Sequence, residues 1–230
     1  MTARPLVACV WVRGHVPYSR EYVSRFEGMV RRWLPDCDVV CLTDRPFEMP
    51  TGVQGVHIGG PGALPGWWSK VHLFNPAILE AGRRVLYLDL DTLVVAPLAP
   101  LLEYSASFAL CPHEGRFNGA NGRAVVKRFN SSVMVFTSGA HAALYRTWSP
   151  AVAARLWGDQ DWLGEQLGDV ATFPEAWVPR LSSLAGRAPG PDAKVVISKK
   201  PKNAEAARRW GWFDAAWGAA PVPVAAGAAS

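Results

Sequence analysis

Two carboxylates two residues apart, Asp89 and Asp91, interrupt an otherwise apolar run over residues 84–97. In an extended chain the side chains at i and i+2 project to the same side, so both acids are expected to emerge together where a strand ends. Two acids in an apolar setting either share a proton or hold a hard cation such as Mg²⁺ or Mn²⁺, whose oxygen-rich coordination often includes substrate phosphates. The plain alternative is a strand ending at a wet surface, and for an isolated Asp-x-Asp triplet that alternative is favoured. Three other places could carry chemistry. Lys70 follows Gly66-Trp67-Trp68-Ser69 at an expected helix start, where both its ammonium and the helix amides favour anions. Asp159, Gln160 and Asp161 follow Gly158 and either face a ligand or cap the next helix. Of the five histidines, His113 has the only site-like setting.

The elements needed to position these groups alternate between strand and helix. A buried strand at 5–12 precedes a helix at 17–34 with Tyr22, Phe26, Met29, Val30 and Trp33 at helical spacing, then strands at 38–42 and 53–58. After glycines and prolines, a helix is expected over 71–80, capped by Ser69, and a strand over 84–95. A strand at 107–111 leads into a long basic loop, 112–128, carrying Arg116, Arg123, Lys127 and Arg128; a strand at 129–136 and a helix at 140–148 follow. A helix after residue 158, short strands at 170–173 and 194–198, and a loop over 182–192 complete the series. This pattern predicts an α/β fold, a mostly parallel sheet flanked by helices, with ligands at the carboxyl ends of its strands. One domain is expected over 1–212, with a low-complexity tail over 213–230.

Composition sets the outer limits. With 230 residues, 50% hydrophobic and 19% charged, the chain can bury a full core and is not a disordered protein. A net charge of +5 and a pI near 9.2 suit a polyanionic partner: a nucleotide, a phosphorylated glycan or nucleic acid. Eleven tryptophans exceed ordinary use, and although most Trp residues are core, flat amphipathic rings also line sugar and base platforms. Cys9, Cys37, Cys41 and Cys111 lack metal-site spacing, so buried thiols in a reducing cytoplasm are expected. No apolar stretch approaches the roughly 20 residues that span a bilayer.

The ordered set Thr43-Asp44, Gly66-Trp67-Trp68-Ser69-Lys70, Leu86-Tyr87-Leu88-Asp89-Leu90-Asp91, Asn130-Ser131-Ser132-Val133-Met134 and Gly158-Asp159-Gln160-Asp161 resembles the nucleotide-diphospho-sugar transferases of the GT-A fold. The nearest branch is similar to the family 8 group of glycogenin and lipopolysaccharide galactosyltransferases. The resemblance implies transfer of a sugar from a nucleotide sugar, UDP-linked, to a glycan or lipid-linked acceptor, with Mn²⁺ or Mg²⁺ on Asp89 and Asp91. It further implies Val12, Tyr18, Thr43 and Asp44 around the nucleoside, Trp68, Lys70, Leu90, Asn130 and Asp159 along the donor, and Gln160 and Asp161 at the reacting face. In relatives the last motif carries a His that binds metal; here Ser198 stands in its place, followed by Lys199, Lys200 and Lys202, which could take over charge stabilisation. Two rival functions remain. Transfer to hydroxymethylated bases in DNA would use the basic residues, and Asp-Leu-Asp-Thr also resembles the haloacid dehalogenase-like phosphatases, with Thr92 one place early.

Overall fold

Side chains alternate across a strand, so a sheet covered on both faces sends successive residues into two different cores. Strand β1 (Leu6–Trp11) divides in this way: Val7, Cys9 and Trp11 enter one apolar cluster, Leu6 and Ala8 the other. In β4 (Arg84–Leu88), Leu86 and Leu88 likewise oppose Val85 and Tyr87. The computed structural model describes residues 4–13, 16–60, 63–118, 124–198 and 200–218, without the side chains of 114–128.

With β2 (Asp38–Thr43), β3 (Val53–His57), β6 (Phe108–Asn118), β7 (Ala124–Thr137) and β8 (Ala171–Thr172), these strands form a seven-stranded sheet in the order β3-β2-β1-β4-β7-β6-β8. β1 runs parallel to both β2 and β4, and β7 antiparallel to both β4 and β6. The chain works outward from β1 to β3 and then returns to β4, so β1 and β4 flank a switch point where a crevice opens at their carboxyl ends. Two further strands, β5 (Thr92–Val94) and β9 (Val195–Ile197), pair antiparallel with Thr92 opposite Ile197.

The helices are α1 (Arg20–Trp33), α2 (Ala99–Leu102), α3 (Ala142–Arg146), α4 (Pro150–Arg155), α5 (Asp159–Leu167), α6 (Leu181–Leu184), α7 (Pro201–Ala207) and α8 (Gly211–Trp217). α1 buries Tyr22, Val23, Phe26, Met29 and Val30, the stripe its spacing predicts. No described helix is long and apolar enough to cross a membrane, and all four cysteines are free and buried.

Four sequence expectations need correction. The strand expected over 84–95 breaks at 89–91, where the Thr92 amide donates to the Asp89 carbonyl at 3.0 Å and closes a turn. The helix expected over 71–80 is a 3₁₀ segment, Gly66–Phe74, and Ser69 donates to the Leu64 carbonyl at 2.8 Å instead of capping it. The loop expected over 112–128 is largely the β6–β7 hairpin, whose pairs, such as Gly115 with Lys127, lack the apolar alternation that announces a strand. The boundary placed at 212 falls inside α8, whose Phe213 and Trp217 are fully buried; Trp217 meets Tyr22 at 5.6 Å between ring centroids and lies under the Arg25 guanidinium. An Ala- and Gly-rich composition masked two anchoring aromatics.

Trp217→Ala is therefore expected to destabilise the fold by about 3–5 kcal/mol, read as a lowered urea midpoint at an unchanged slope; a change under about 0.5 kcal/mol, the size of an ordinary surface substitution, would contradict the docking of α8.

Candidate active site

A cavity of about 470 Å³ opens at the switch point. Val10 and Val12 reach it from the end of β1, Tyr87, Asp89, Leu90 and Asp91 from the end of β4, Asn130, Ser131 and Ser132 from β7, and Gly158, Asp159 and Gln160 from the start of α5. The 3₁₀ segment explains which of its residues take part. With three residues per turn, positions i and i+3 eclipse. Trp68, Val71 and Phe74 share the core face and are buried, whereas Trp67 and Lys70 both line the cavity.

At the inner end lies a cluster of buried charge. Lys70 Nζ sits 2.8 Å from Asp89 Oδ1 and 3.7 Å from Asp159 Oδ2, and donates to Ser131 Oγ at 3.3 Å. The Tyr87 hydroxyl donates to Asp89 Oδ1 at 2.6 Å. Burial alone would depress the Lys70 ammonium, but the charges of Asp159 and Asp89 outweigh it and hold Lys70 protonated above the ordinary lysine range. Breaking such a buried pair by removing one partner strands the other charge, at a cost of about 3–5 kcal/mol.

The acids outnumber the base. Asp91 is 3% exposed and Asp159 5%; burial raises both carboxyls. For Asp91, burial first and the neighbouring Asp89 charge second push the pKa to about 7, against the opposing pull of Lys70 and of the nearby Ser198 and Tyr18 hydroxyls; the Ser198 hydroxyl itself donates to the Lys200 carbonyl at 3.3 Å. Asp89, Asp91 and Asp159 ionised around Lys70 leave two negative charges uncompensated, which fits one hard divalent ion. Among the described residues no three His, Cys, Asp or Glu side chains are grouped to hold a metal; Asp89 and Asp91 are the carboxylates beside the cavity that a hard cation could reach. Pairing of β5 with β9 brings Ser198, at the end of β9, to Asp91, at the start of β5.

Of the residues the sequence singled out, the cavity gathers Val12, Tyr18, Lys70, Asp89, Leu90, Asp91, Asn130, Asp159, Gln160 and Lys200. Asn130 Oδ1 accepts from the Ser132 amide at 3.0 Å, which folds its side chain back along its own strand, inside β7. Trp68 is not a lining residue but core, and its neighbour Trp67 takes the lining position, a consequence of 3₁₀ rather than α-helical phase. Asp161 is half-buried on α5 outside the cavity lining, and Lys202 is exposed on α7. Thr43 and Asp44 end β2 outside the lining; Asp44 Oδ2 accepts from the Arg13 amide at 3.4 Å. Lys199 and the side chains of Arg116, Arg123, Lys127 and Arg128 lie outside the described residues. Sequence reasoning missed Tyr87, Ser131 and Trp157. Strand alternation does place Tyr87 beside Asp89, Ser131 lies inside the Asn130-Ser131-Ser132 motif without a role assigned to it, and Trp157 directly precedes Gly158. His113, buried against Arg180, also lines the cavity.

Comparison with known proteins follows the same line. No protein-family model matches the chain, and no curated protein matches its sequence. Among solved structures it is similar to the galactosyltransferase LgtC in complex with donor and acceptor sugar analogs, with a TM-score of 0.65 at 14% identity over 94% of this chain and 96% of LgtC. It is similar to the glycosyltransferase GlyE of Streptococcus pneumoniae TIGR4, with a TM-score of 0.65 at 14% identity over 94% of this chain and 62% of GlyE. The bifunctional glycosyltransferase WbbM gives 0.55 at 12% identity over 95% of this chain and 52% of WbbM, so the chain spans about half of that protein. The chain has the GT-A fold of these transferases.

Because the fold raises the Asp91 pKa from 3.8 to about 7, that group favours the folded state at low pH and loses its contribution as pH rises through about 7. In chelator-treated protein, Asp91→Asn is expected to melt above the unaltered chain at pH 8, with the difference shrinking toward pH 5. Parallel melting curves across that range would contradict the buried, undercompensated carboxyl.

Proposed function

We propose that the chain is a nucleotide-sugar-dependent glycosyltransferase that moves a hexose from a nucleoside diphosphate, UDP by the family resemblance, to an acceptor hydroxyl. The observation that carries this reading is the Lys70, Asp89, Asp91 and Asp159 cluster at the switch point of a GT-A sheet. Mn²⁺ or Mg²⁺ held by Asp89 and Asp91 would neutralise the diphosphate as the glycosidic bond breaks. Lys70 fixes the Asp89 and Asp159 carboxylates from below and Tyr87 holds the Asp89 oxygen nearest it, which orients the pair before a ligand arrives. Lys200, exposed at the cavity edge, supplies a mobile cation for the leaving diphosphate. Val12 and Tyr18, with Thr43 and Asp44 one strand away, are assigned to the nucleoside.

In the transfer itself the bond from the anomeric carbon to the diphosphate oxygen breaks, the acceptor oxygen bonds to that carbon, and the acceptor proton passes to the departing diphosphate. Gln160 lines the cavity beside Asp159. A neutral amide is a poor nucleophile, so the arrangement favours retention by a front-face path assisted by the leaving group over a covalent double displacement. LgtC has been solved with an active-site Gln changed to Glu, and Gln160 is the residue we assign to that position. The acceptor is read as a glycan or lipid-linked glycan. The phosphatase alternative loses its footing, because the whole-chain fold is that of sugar transferases.

Thermal shifts with a panel of nucleotide sugars and Mn²⁺ test the reading, since a ligand that binds only the folded state raises its melting point. A UDP-hexose is expected to give the largest shift and to release UDP slowly, a release lost by about 100-fold or more in Asp89→Ala and Asp91→Ala. No shift with any sugar nucleotide, or turnover of p-nitrophenyl phosphate that Asp89→Asn abolishes, would overturn it.

A further inference from the structure

Lys200, the cation assigned to the departing diphosphate, is carried by a helix with little apolar anchorage. It directly precedes α7, and its carbonyl accepts from the Asn203 amide at 2.9 Å and the Ala204 amide at 3.3 Å, while Asn203 Nδ2 donates to the Ser198 carbonyl at 3.0 Å. The root of the Lys200 side chain therefore moves with α7. That helix has seven residues and buries Ala204 and Ala207. A helix this short is unstable alone, and two methyl groups bury little apolar surface. Something else must hold it.

The polar face of α7 supplies the hold. Glu205 Oε1 accepts from the Tyr22 hydroxyl at 3.0 Å and from Arg25 Nη1 at 3.3 Å, both on α1 and 183 and 180 residues earlier in the chain. Arg208 Nη1 donates to Glu205 Oε2 at 3.5 Å, and Arg208 Nε donates to Asp214 on α8 at 2.9 Å. One carboxylate thus ties α7 to α1, and Arg208 extends the tie to α8. The ion pair with Arg25 is partly exposed and contributes little on its own. Tyr22, by contrast, is buried, and its hydroxyl donates to a charged acceptor, the stronger kind of hydrogen bond. The Tyr22 ring also lies 5.1 Å from that of Tyr18, which lines the cavity. Tyr22 therefore connects a lining tyrosine with the helix that carries Lys200.

We propose that Glu205 is a positioning residue for the transfer: its hydrogen bond with Tyr22 fixes α7 against α1 and keeps Lys200 at the cavity edge to meet the diphosphate. This rests on the glycosyltransferase reading, which gives Lys200 its partner. With the tie lost, α7 samples other placements, and the apparent affinity falls by the fraction of chains that still present Lys200. Calorimetric titration of UDP with saturating Mn²⁺ into the full chain tests it, with melting points to show that each variant is folded. Glu205→Ala is expected to weaken UDP binding about fivefold and Tyr22→Phe, which removes a single hydroxyl, about threefold, with Lys200→Ala losing at least as much as Glu205→Ala. Glu205→Gln, whose amide oxygen still accepts from Tyr22, is expected to recover part of the loss. Because Glu205 acts through Lys200, the double variant Glu205→Ala with Lys200→Ala is expected to bind no more weakly than Lys200→Ala alone, whereas a general loosening of the fold adds its own loss. Should Glu205→Ala melt too low to titrate, Tyr22→Phe with Lys200→Ala gives the same comparison. UDP binding unchanged in Glu205→Ala and Tyr22→Phe, or losses that add in the double variant, would overturn the inference and leave the donor reading standing. No UDP binding to the unaltered chain would sink that reading and this inference with it.

Discussion

One ammonium organises the centre of this protein. Lys70 is buried against Asp89 and Asp159, 2.8 and 3.7 Å away, with Asp91 close enough to feel its charge. Removing ions from water is costly, and the cost is repaid only where geometry and further hydrogen bonds are good. Here Ser131 accepts from the ammonium and Tyr87 donates to Asp89, while the nearby Ser198 and Tyr18 hydroxyls favour the charged form of Asp91. Three carboxyl groups, two of them raised by burial, face one ammonium, so the cluster becomes more negative as pH rises. On the proposed reading, an anionic donor would meet these carboxylates unless a cation had entered first, which would impose an order on binding.

The backbone explains why the charges meet. The break in the chain after β4 turns Asp89 and Asp91 out of the sheet, and the antiparallel β5–β9 pair returns Ser198 to Asp91 from more than a hundred residues downstream. A hydroxyl stands here in place of the imidazole that the resemblance leads one to expect, so any hard ion proposed for Asp89 and Asp91 would meet oxygen atoms alone. The 3₁₀ phase of Gly66–Phe74 then delivers Lys70 and Trp67 to one cavity from a single short segment.

Much of this was legible in the chain itself. Buried strands alternating with helices announced the sheet, and α1 was readable from its apolar stripe because a helix on a core must repeat every three to four residues. Asp89, Asp91, Lys70, Asn130 and Gln160 were singled out because each sits in a short local motif, and all five line the cavity. What escaped has a common cause. Ser131 and Trp157 lie in or beside motifs that were read for other residues, and Trp67 was passed over for Trp68 because α-helical phase was assumed where the chain winds as 3₁₀. The β6–β7 hairpin and α8 were hidden by glycine- and alanine-rich composition, which carries little periodic signal even where two aromatics anchor the end of the chain.

The charge imbalance is tested most directly by calorimetric titration of UDP into the protein, once with EDTA and once with saturating Mn²⁺. Tight binding with the ion and none measurable without it is predicted, with Asp91→Asn removing the difference between the two conditions. Equal affinity in both would contradict the account, because it would mean that Lys70 and its neighbours already offer the diphosphate a site of favourable charge.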